Sequence, residues 1–257
     1  MKSLGLGHPK VHRISPNVYA ITGLYHAAGG GFGVNAGIIL THHSVVFIDS
    51  GMSIAAGEFL WKTACEQMKG QEALYLILTH HHSDHVFGMR VLRDKGAKVI
   101  AQETVREFLD DDEGRYKRFI MERYGLGFQG DEILGDVGLS LPDQLIVSDT
   151  VLEIDGERIE LLFTPGHVPS EISIYHPASR TLFAGDTVYE GTLPTTRFGG
   201  PTEWRTWISQ LERLTRLDID IICPGHGNLC STEEIERNIA YLRTMCAQSN
   251  QKTENDA

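Results

Sequence analysis

Residues 79–85 read Thr-His-His-His-Ser-Asp-His, and four of them, His80, His82, Asp84 and His85, carry side chains of the kinds that ligate metal ions. A bound divalent metal acidifies water and polarises carbonyl or phosphoryl oxygens, so the chemistry such a group supports is hydrolysis. The apolar run Ala73–Leu78 before it is short and continuous, as strands covered on both faces are. The four residues therefore sit where a core strand ends and the chain turns into a helix. At i and i+2, His80 and His82 point the same way while the backbone stays extended. Asp84 and His85, just past the turn, reach a second point nearby.

Three further segments each put a ligand-type residue directly after a strand-like run. Thr164-Pro165-Gly166-His167 follows a strand ending at Phe163, Gly185-Asp186-Thr187 follows Thr181–Ala184, and Pro224-Gly225-His226-Gly227 follows Ile219–Cys223. A rigid sheet can aim loop residues from several strand ends at one point. The glycines before His167, Asp186 and His226 let the backbone turn sharply and approach closely.

The elements behind these loops alternate. Strands are expected at Asn17–Thr22, Val34–Thr41 and Val45–Asp49, then a helix over Ile54–Lys69 stopped by Gly70. After the histidine cluster a helix runs to Lys95, stopped by Gly96, and a strand covers Lys98–Ala101. In the second half, Thr150–Ile154 and Arg158–Phe163 flank Asp155-Gly156, a strong hairpin signal, and Ile172–Tyr175 pairs with Thr181–Ala184. Glu203–Leu217 carries Trp204, Trp207, Ile208, Leu211 and Leu214 at helical spacing, a core stripe. Ser231 and Glu234 form a capping box for a last helix to about Cys246, and a polar, flexible tail covers about 248–257. Strands interleaved with helices indicate layered α/β architecture.

The stretch at about 103–143 breaks the pattern. It is charged, with apolar residues at Phe119, Ile120, Met121, Tyr124, Leu126 and Phe128, and reads as two helices with a Gly-rich connection. It is either a solvated helical insertion or a cap whose aromatic residues contact substrate. The loop Gly29–Gly33 lies between strands with no helix following, so it is no phosphate cradle. It reads as a hairpin over the site mouth with Phe32 at its tip.

The pattern His-x-His-x-Asp-His, with the other three segments in this order, resembles the metallo-β-lactamase superfamily of metal-dependent hydrolases over roughly residues 17–246. The resemblance implies an αββα four-layer sandwich, two mixed sheets face to face with helices outside, in a single domain spanning 1–257. It implies a first metal on His80, His82 and His167 and a second on Asp84, His85 and His226, with the Asp186 carboxylate bridging both. Asp49, in Phe47-Ile48-Asp49-Ser50-Gly51, matches a residue that organises the ligand loops. Two zinc ions are the expected cofactor, with iron and manganese compatible with the same donors. Two such cations about 3.5–4 Å apart hold a hydroxide that attacks an electrophilic carbonyl. Asp84 orients it or carries a proton to the leaving group. Tyr189 stands at the offset of a catalytic tyrosine in superfamily lactonases that cleave acyl homoserine lactones; the other reading is a tyrosine packed beneath the loop.

Departures narrow the resemblance. Metallo-β-lactamases proper usually have cysteine or serine where this chain has Asp186. Glutathione-thioester hydrolases carry an additional helical domain after the last histidine, whereas 31 residues follow His226 here, and no basic cluster for glutathione carboxylates is visible. The likeness is to small glyoxalase II-like members found near sulfur-oxidation and quinoprotein gene clusters, through Asn17-Val18-Tyr19, the stretch His167–Glu171 and the region Gly185–Pro194. The expected reaction is hydrolysis of a thioester or lactone in a small organic substrate. The alternatives are a mononuclear-iron persulfide dioxygenase and, less favoured, a phosphodiesterase or nuclease.

Composition agrees with a soluble enzyme. The chain has 257 residues, 41% of them hydrophobic, enough for a substantial core. A net charge of −11 and a pI near 5.5 argue against a nucleic-acid surface. Met1–Lys10 lacks the apolar stretch of a signal peptide and no run approaches the ~20 apolar residues of a membrane span, so a cytoplasmic monomer or homodimer without membrane partners is expected. Cys65, Cys223, Cys230 and Cys246 have no Cys-x-x-Cys spacing and read as reduced thiols. His81 should point away from the metals; His8, His12, His26, His42, His43 and His176 read as surface or structural residues.

Overall fold

The computed structural model describes residues 7–24, 33–110, 114–125 and 134–255. Phe32, Leu126, Phe128 and His26 lie outside the described residues.

Strands β1 (Lys10–Ser15), β2 (Val18–Leu24), β3 (Val34–Leu40), β4 (Ser44–Ile48), β5 (Ala73–Ile77), β6 (Lys98–Gln102) and β7 (Gln144–Ile146) lie side by side in chain order. Pairing is antiparallel from β1 to β4 and parallel from β4 to β7. The second half makes β8 (Thr150–Ile154), β9 (Glu157–Phe163), β10 (Ile172–His176), β11 (Thr181–Tyr189) and β12 (Ile221–His226), antiparallel except for the last pair. Among the described residues a single register pair, His226 with Val34, joins the two halves.

The strand alternation produces the layers. In β4, Val45 and Phe47 face one way while Val46 and Ile48 face the other, each set buried in a different apolar cluster. Leu74 and Leu76 against Ile77 repeat this in β5, and Leu182 against Phe183 in β11. Three apolar interfaces follow: helices on the first sheet, sheet on sheet, and helices on the second sheet. The middle one packs Val46, Ile48 and Ile77 with Ile159, Ile172, Ile174 and Phe183. The fold is the expected αββα sandwich.

The first sheet is covered by α1 (Ile54–Gln67), α2 (Ser83–Val86) and α3 (Met89–Asp94), and the second by α6 (Pro201–Leu214) and α7 (Glu233–Asn255). Trp207, Leu211 and Leu214 of the expected stripe are buried in α6. Between β6 and β7 the insertion contributes α4 (Arg106–Leu109) and α5 (Arg115–Arg123). The Asp155-Gly156 turn has φ of 53° and 84°, the double left-handed geometry that a two-residue hairpin needs.

Several boundaries depart from the sequence reading. The helix expected to reach Lys95 is two helices. At Gly88, which separates them, a Cβ would lie 2.0 Å from the Ser50 carbonyl, so the chain must pass too close for a regular side chain. Strands β11 and β12 run on to include Asp186 and His226 themselves, with register shifts after Phe183 and Gly185. Helix α7 continues to Asn255 instead of ending near Cys246. Strands β1 and β7 were not expected. β1 is largely exposed or half-buried and has no apolar run, and β7 is three residues long.

Candidate metal centre

Thr79–His82 follow β5, with bends at Thr79 and His81 and with His82 extended at φ −62°, ψ 145° before α2 begins. His80 and His82 come together all the same, and His80 Nε2 lies 3.0 Å from His82 Nδ1. His167 Nε2, from the loop after β9, lies 3.0 Å from the same His82 nitrogen and 3.4 Å from Asp186 Oδ2. Asp84 and His85 sit in the first turn of α2 and meet His226 at the end of β12. His226 Nε2 is 3.2 Å from Asp84 Oδ2, and His85 Nε2 is 3.9 Å from that oxygen. Asp186 Oδ1 faces this second group, 3.2 Å from His85 Nε2 and 3.3 Å from His226 Nε2. The seven residues named from the sequence thus form two clusters, each with one donor atom per residue within 4.8 Å of the others, and Asp186 turns one oxygen to each.

The donors fit cations better than they fit one another. His85 Nε2 and Asp186 Oδ1 are buried and make no hydrogen bond despite their 3.2 Å separation, because they are not aligned for one. A cation between them would satisfy both. Other contacts set the imidazole tautomers. His85 Nδ1 donates to Asp49 Oδ2 at 2.7 Å and His226 Nδ1 to the Gly33 carbonyl at 3.2 Å, which leaves each Nε2 free to ligate. Asp49, at φ 59°, also accepts from the Thr79 backbone N–H and hydroxyl, both at 2.8 Å. It pins the histidine loop, as the resemblance implied.

Glu171, fully buried, is a partner the sequence reading missed. Its Oε1 accepts from the Asp186 N–H at 3.0 Å, while Oε2 lies 3.4 Å from His80 Nδ1 and otherwise has no partner. A lone acid in the otherwise uncharged run Val168–Tyr175, leading into a buried strand, was the available signal. Tyr189 is buried at the end of β11, and its hydroxyl donates to Asp186 Oδ2 at 2.5 Å and lies 3.4 Å from His167 Nδ1. Close backbone approach underlies this packing. A Cβ on Gly225 would fall 2.0 Å from Asp186 Oδ1, and one on Gly185, at φ 53°, 2.4 Å from Glu171 Oε1.

The field differs between the clusters. Burial holds His80 well below the usual imidazole range and lowers His167 to about 3, so both are neutral donors. Burial also works against charge on His85 and His226. There the neighbouring carboxylates win, raising His85 well above its usual value through Asp49, Asp84 and Asp186, and His226 to about 10 through Asp186 and Asp84. The second cluster therefore favours positive charge at its centre. Asp186, for its part, is held well below the ordinary carboxylate range by His226, His167 and His85 against the opposing effect of burial.

The clusters form the floor of a cavity of about 600 Å³. Phe108, Tyr116, Phe119, Ile120, Arg123 and Tyr124 of the insertion supply one wall, and Thr192, Thr195, Arg197 and Phe198 supply another. As far as it is described, the 103–143 stretch forms one wall of this cavity. Of the apolar residues expected there, Phe119, Ile120 and Tyr124 line the cavity, whereas Met121 packs on the first core cluster. His81 points away from both clusters. It pairs through Nδ1 with Ser170 Oγ at 2.9 Å and stacks on Phe108 at 3.5 Å, and its carbonyl accepts from the Tyr116 hydroxyl at 3.1 Å. His42 and His43 are exposed; His176 is buried against Ser179 and Glu157. All four cysteines are free thiols. Among the described residues no helix is long and apolar enough to cross a membrane.

Residues 29–226 match the family model of the metallo-beta-lactamase superfamily, and the chain belongs to that superfamily. It is 25% identical over 215 residues to a metallo-beta-lactamase fold-containing protein of Sulfurisphaera tokodaii, covering 77% of this chain and 74% of that one. It is 27% identical over 173 residues to the hydroxyacylglutathione hydrolase GloC of Haemophilus influenzae, covering 66% and 76%. Among solved structures, a metallo-beta-lactamase from Pontibacter korlensis superposes with a TM-score of 0.68 at 21% identity, covering 92% of this chain and 99% of that one.

Proposed function

We propose that this protein is a dinuclear metallohydrolase that cleaves a thioester or lactone in a small organic substrate. The observation that carries the reading is the shared carboxylate: the two oxygens of Asp186 face two separate donor sets at the floor of one cavity. His80, His82 and His167 would hold one ion, and Asp84, His85 and His226 the other. Bound there, two zinc ions would supply a water acidified for attack and positive charge opposite the developing oxyanion.

The chain's own groups do the rest. Asp84 has a side chain 27% exposed to the cavity, so one of its oxygens can take the proton of the attacking water and pass it to the leaving group. Tyr189 holds Asp186 in orientation through its hydroxyl, and Asp49 and Glu171 brace His85 and His80 from behind. Phe198 packs against His82 with ring centroids 4.4 Å apart and offers an apolar face beside the floor. Similarity to a relative named for hydroxyacylglutathione hydrolysis supports an activated acyl bond as the target.

The test is turnover of a thioester and a lactone panel by the zinc-loaded protein, before and after chelation. Hydrolysis that chelator abolishes and zinc restores is expected. Oxygen consumption with a persulfide by an iron-loaded form, with no ester turnover, would replace this reading with the oxidative one.

A further inference from the structure

The outer wall of the cavity carries charge that hydrolysis at its floor does not use. Arg123, at the end of α5, and Arg197, between β11 and α6, both line the cavity from distant parts of the chain. The Arg197 guanidinium lies 4.7 Å over the Phe198 ring, and that ring lies 4.4 Å from His82. The cation thus stands two ring contacts from a metal-binding side chain. Both arginines also act on Tyr124: burial and Asp84 raise its phenol, and Arg197 and Arg123 pull it the other way. Each therefore lies near enough to Tyr124 to act on it, one from either wall of the cavity.

Neither arginine forms an ion pair among the described residues, although the chain has a net charge of −11. Arg93, Arg180, Arg213 and Arg243 each find a carboxylate, whereas Arg13, Arg106, Arg115 and Arg216 form no ion pair among the described residues but do not line the cavity. The exposed aromatic residues are equally concentrated. Phe108, Phe119, Tyr124 and Phe198, at 38%, 53%, 42% and 40% exposure, are the exposed large aromatics of the described chain, and all four line this cavity. A forked guanidinium matches a carboxylate in geometry and charge, and aromatic rings offer apolar area at small entropic cost.

We propose that Arg123 and Arg197 form an anion-docking site at the cavity mouth, and that the substrate is an ester or thioester bearing a carboxylate beyond an apolar segment. The proposal rests on the hydrolase reading and specifies its substrate class. The reactive carbonyl then lies over the metal clusters, the apolar segment lies along Phe198 and Phe108, and the carboxylate meets the two guanidiniums.

Two measurements separate this proposal from the hydrolase reading. The first compares kcat/KM of the zinc-loaded protein for S-benzoyl-3-mercaptopropionate and its uncharged amide, in the wild type and in the Arg123→Gln/Arg197→Gln double variant. A preference of roughly tenfold for the carboxylate, expressed in KM and falling to near unity in the double variant, is expected. A double Arg→Lys variant should keep part of that preference, because lysine retains the charge but not the fork. Equal rates for the two thioesters in the wild type, or a preference that survives the double Gln variant, would overturn the docking site. The second is calorimetric binding of the thioether S-benzyl-3-mercaptopropionate and its amide, which reads docking without turnover. Absence of hydrolysis across the thioester and lactone panel, with selective, arginine-dependent thioether binding, would remove the hydrolase reading and leave the docking site standing. Binding indifferent to the carboxylate would remove the docking site.

Discussion

Asp186 is the side chain on which both donor sets converge, and its surroundings leave little tolerance. Its Oδ2 accepts from Tyr189, its Oδ1 faces two imidazoles, and its N–H is held by Glu171. Replacing it with alanine should remove at least one metal equivalent and lower kcat by roughly a hundredfold or more, since ligand and orientation vanish together. Elemental analysis alongside turnover checks this; an Asp186→Ala protein with both metals and full activity would refute the shared-carboxylate assignment. Tyr189→Phe removes one hydrogen bond to that carboxylate. Roughly tenfold lower kcat with metal affinity reduced severalfold is expected. Unchanged kinetics would make the ring a packing element. Asp49→Asn should weaken metal affinity by about 10–100-fold, because the His85 imidazole loses the carboxylate that fixes its tautomer. Competition with a chromogenic chelator measures that loss.

At the level of strands and turns, the hairpin between β8 and β9 is tied to the turn between β3 and β4 by one carboxylate. Asp155 accepts from the hydroxyls of Thr41 and Ser44 at 2.6 and 2.7 Å and from the His43 N–H at 3.0 Å. The Thr41 and Ser44 hydroxyls are the main reason its carboxyl is held below the usual value, so the charged form is the one the fold favours. A depressed carboxylate contributes stability above its unfolded value, near 3.8, and the contribution is lost as pH falls through the lower folded value. Asp155→Asn should therefore lower the melting midpoint by about 2 °C at pH 7, and the difference should shrink below pH 4. A difference that persists at pH 2.5 would mean that the charge is not its source. Most elements could be read from the sequence because their physics is local: the apolar runs of β3, β4 and β5 and the stripe of α6 announce themselves. β1 and β7 could not, since one lacks an apolar run and the other is too short to show alternation. The break at Gly88 was hidden for another reason. It is imposed by the Ser50 carbonyl on a neighbouring loop, which no window around residue 88 contains.

Across the whole molecule, the division between what the sequence revealed and what it concealed follows distance along the chain. The candidate ligand residues were readable because the seven of them sit at the ends of four strand-like runs, so four local signals sufficed. The cavity walls were not readable. Phe108 meets His81, Phe198 meets His82, and Arg123 and Arg197 come to line one cavity only once both sheets and the insertion are assembled. The absence of a basic cluster in the linear sequence accordingly said nothing about charge at the cavity mouth. Among the described residues the pairing of His226 with Val34 joins the two sheets beside the donor clusters. Elemental analysis of the purified protein, with metal per chain as the readout, tests the shared-carboxylate centre most directly. Two zinc equivalents per chain are expected, falling to one or none in Asp186→Ala; a single equivalent, or one iron, bound equally well with and without Asp186 would contradict a dinuclear centre built around that carboxylate.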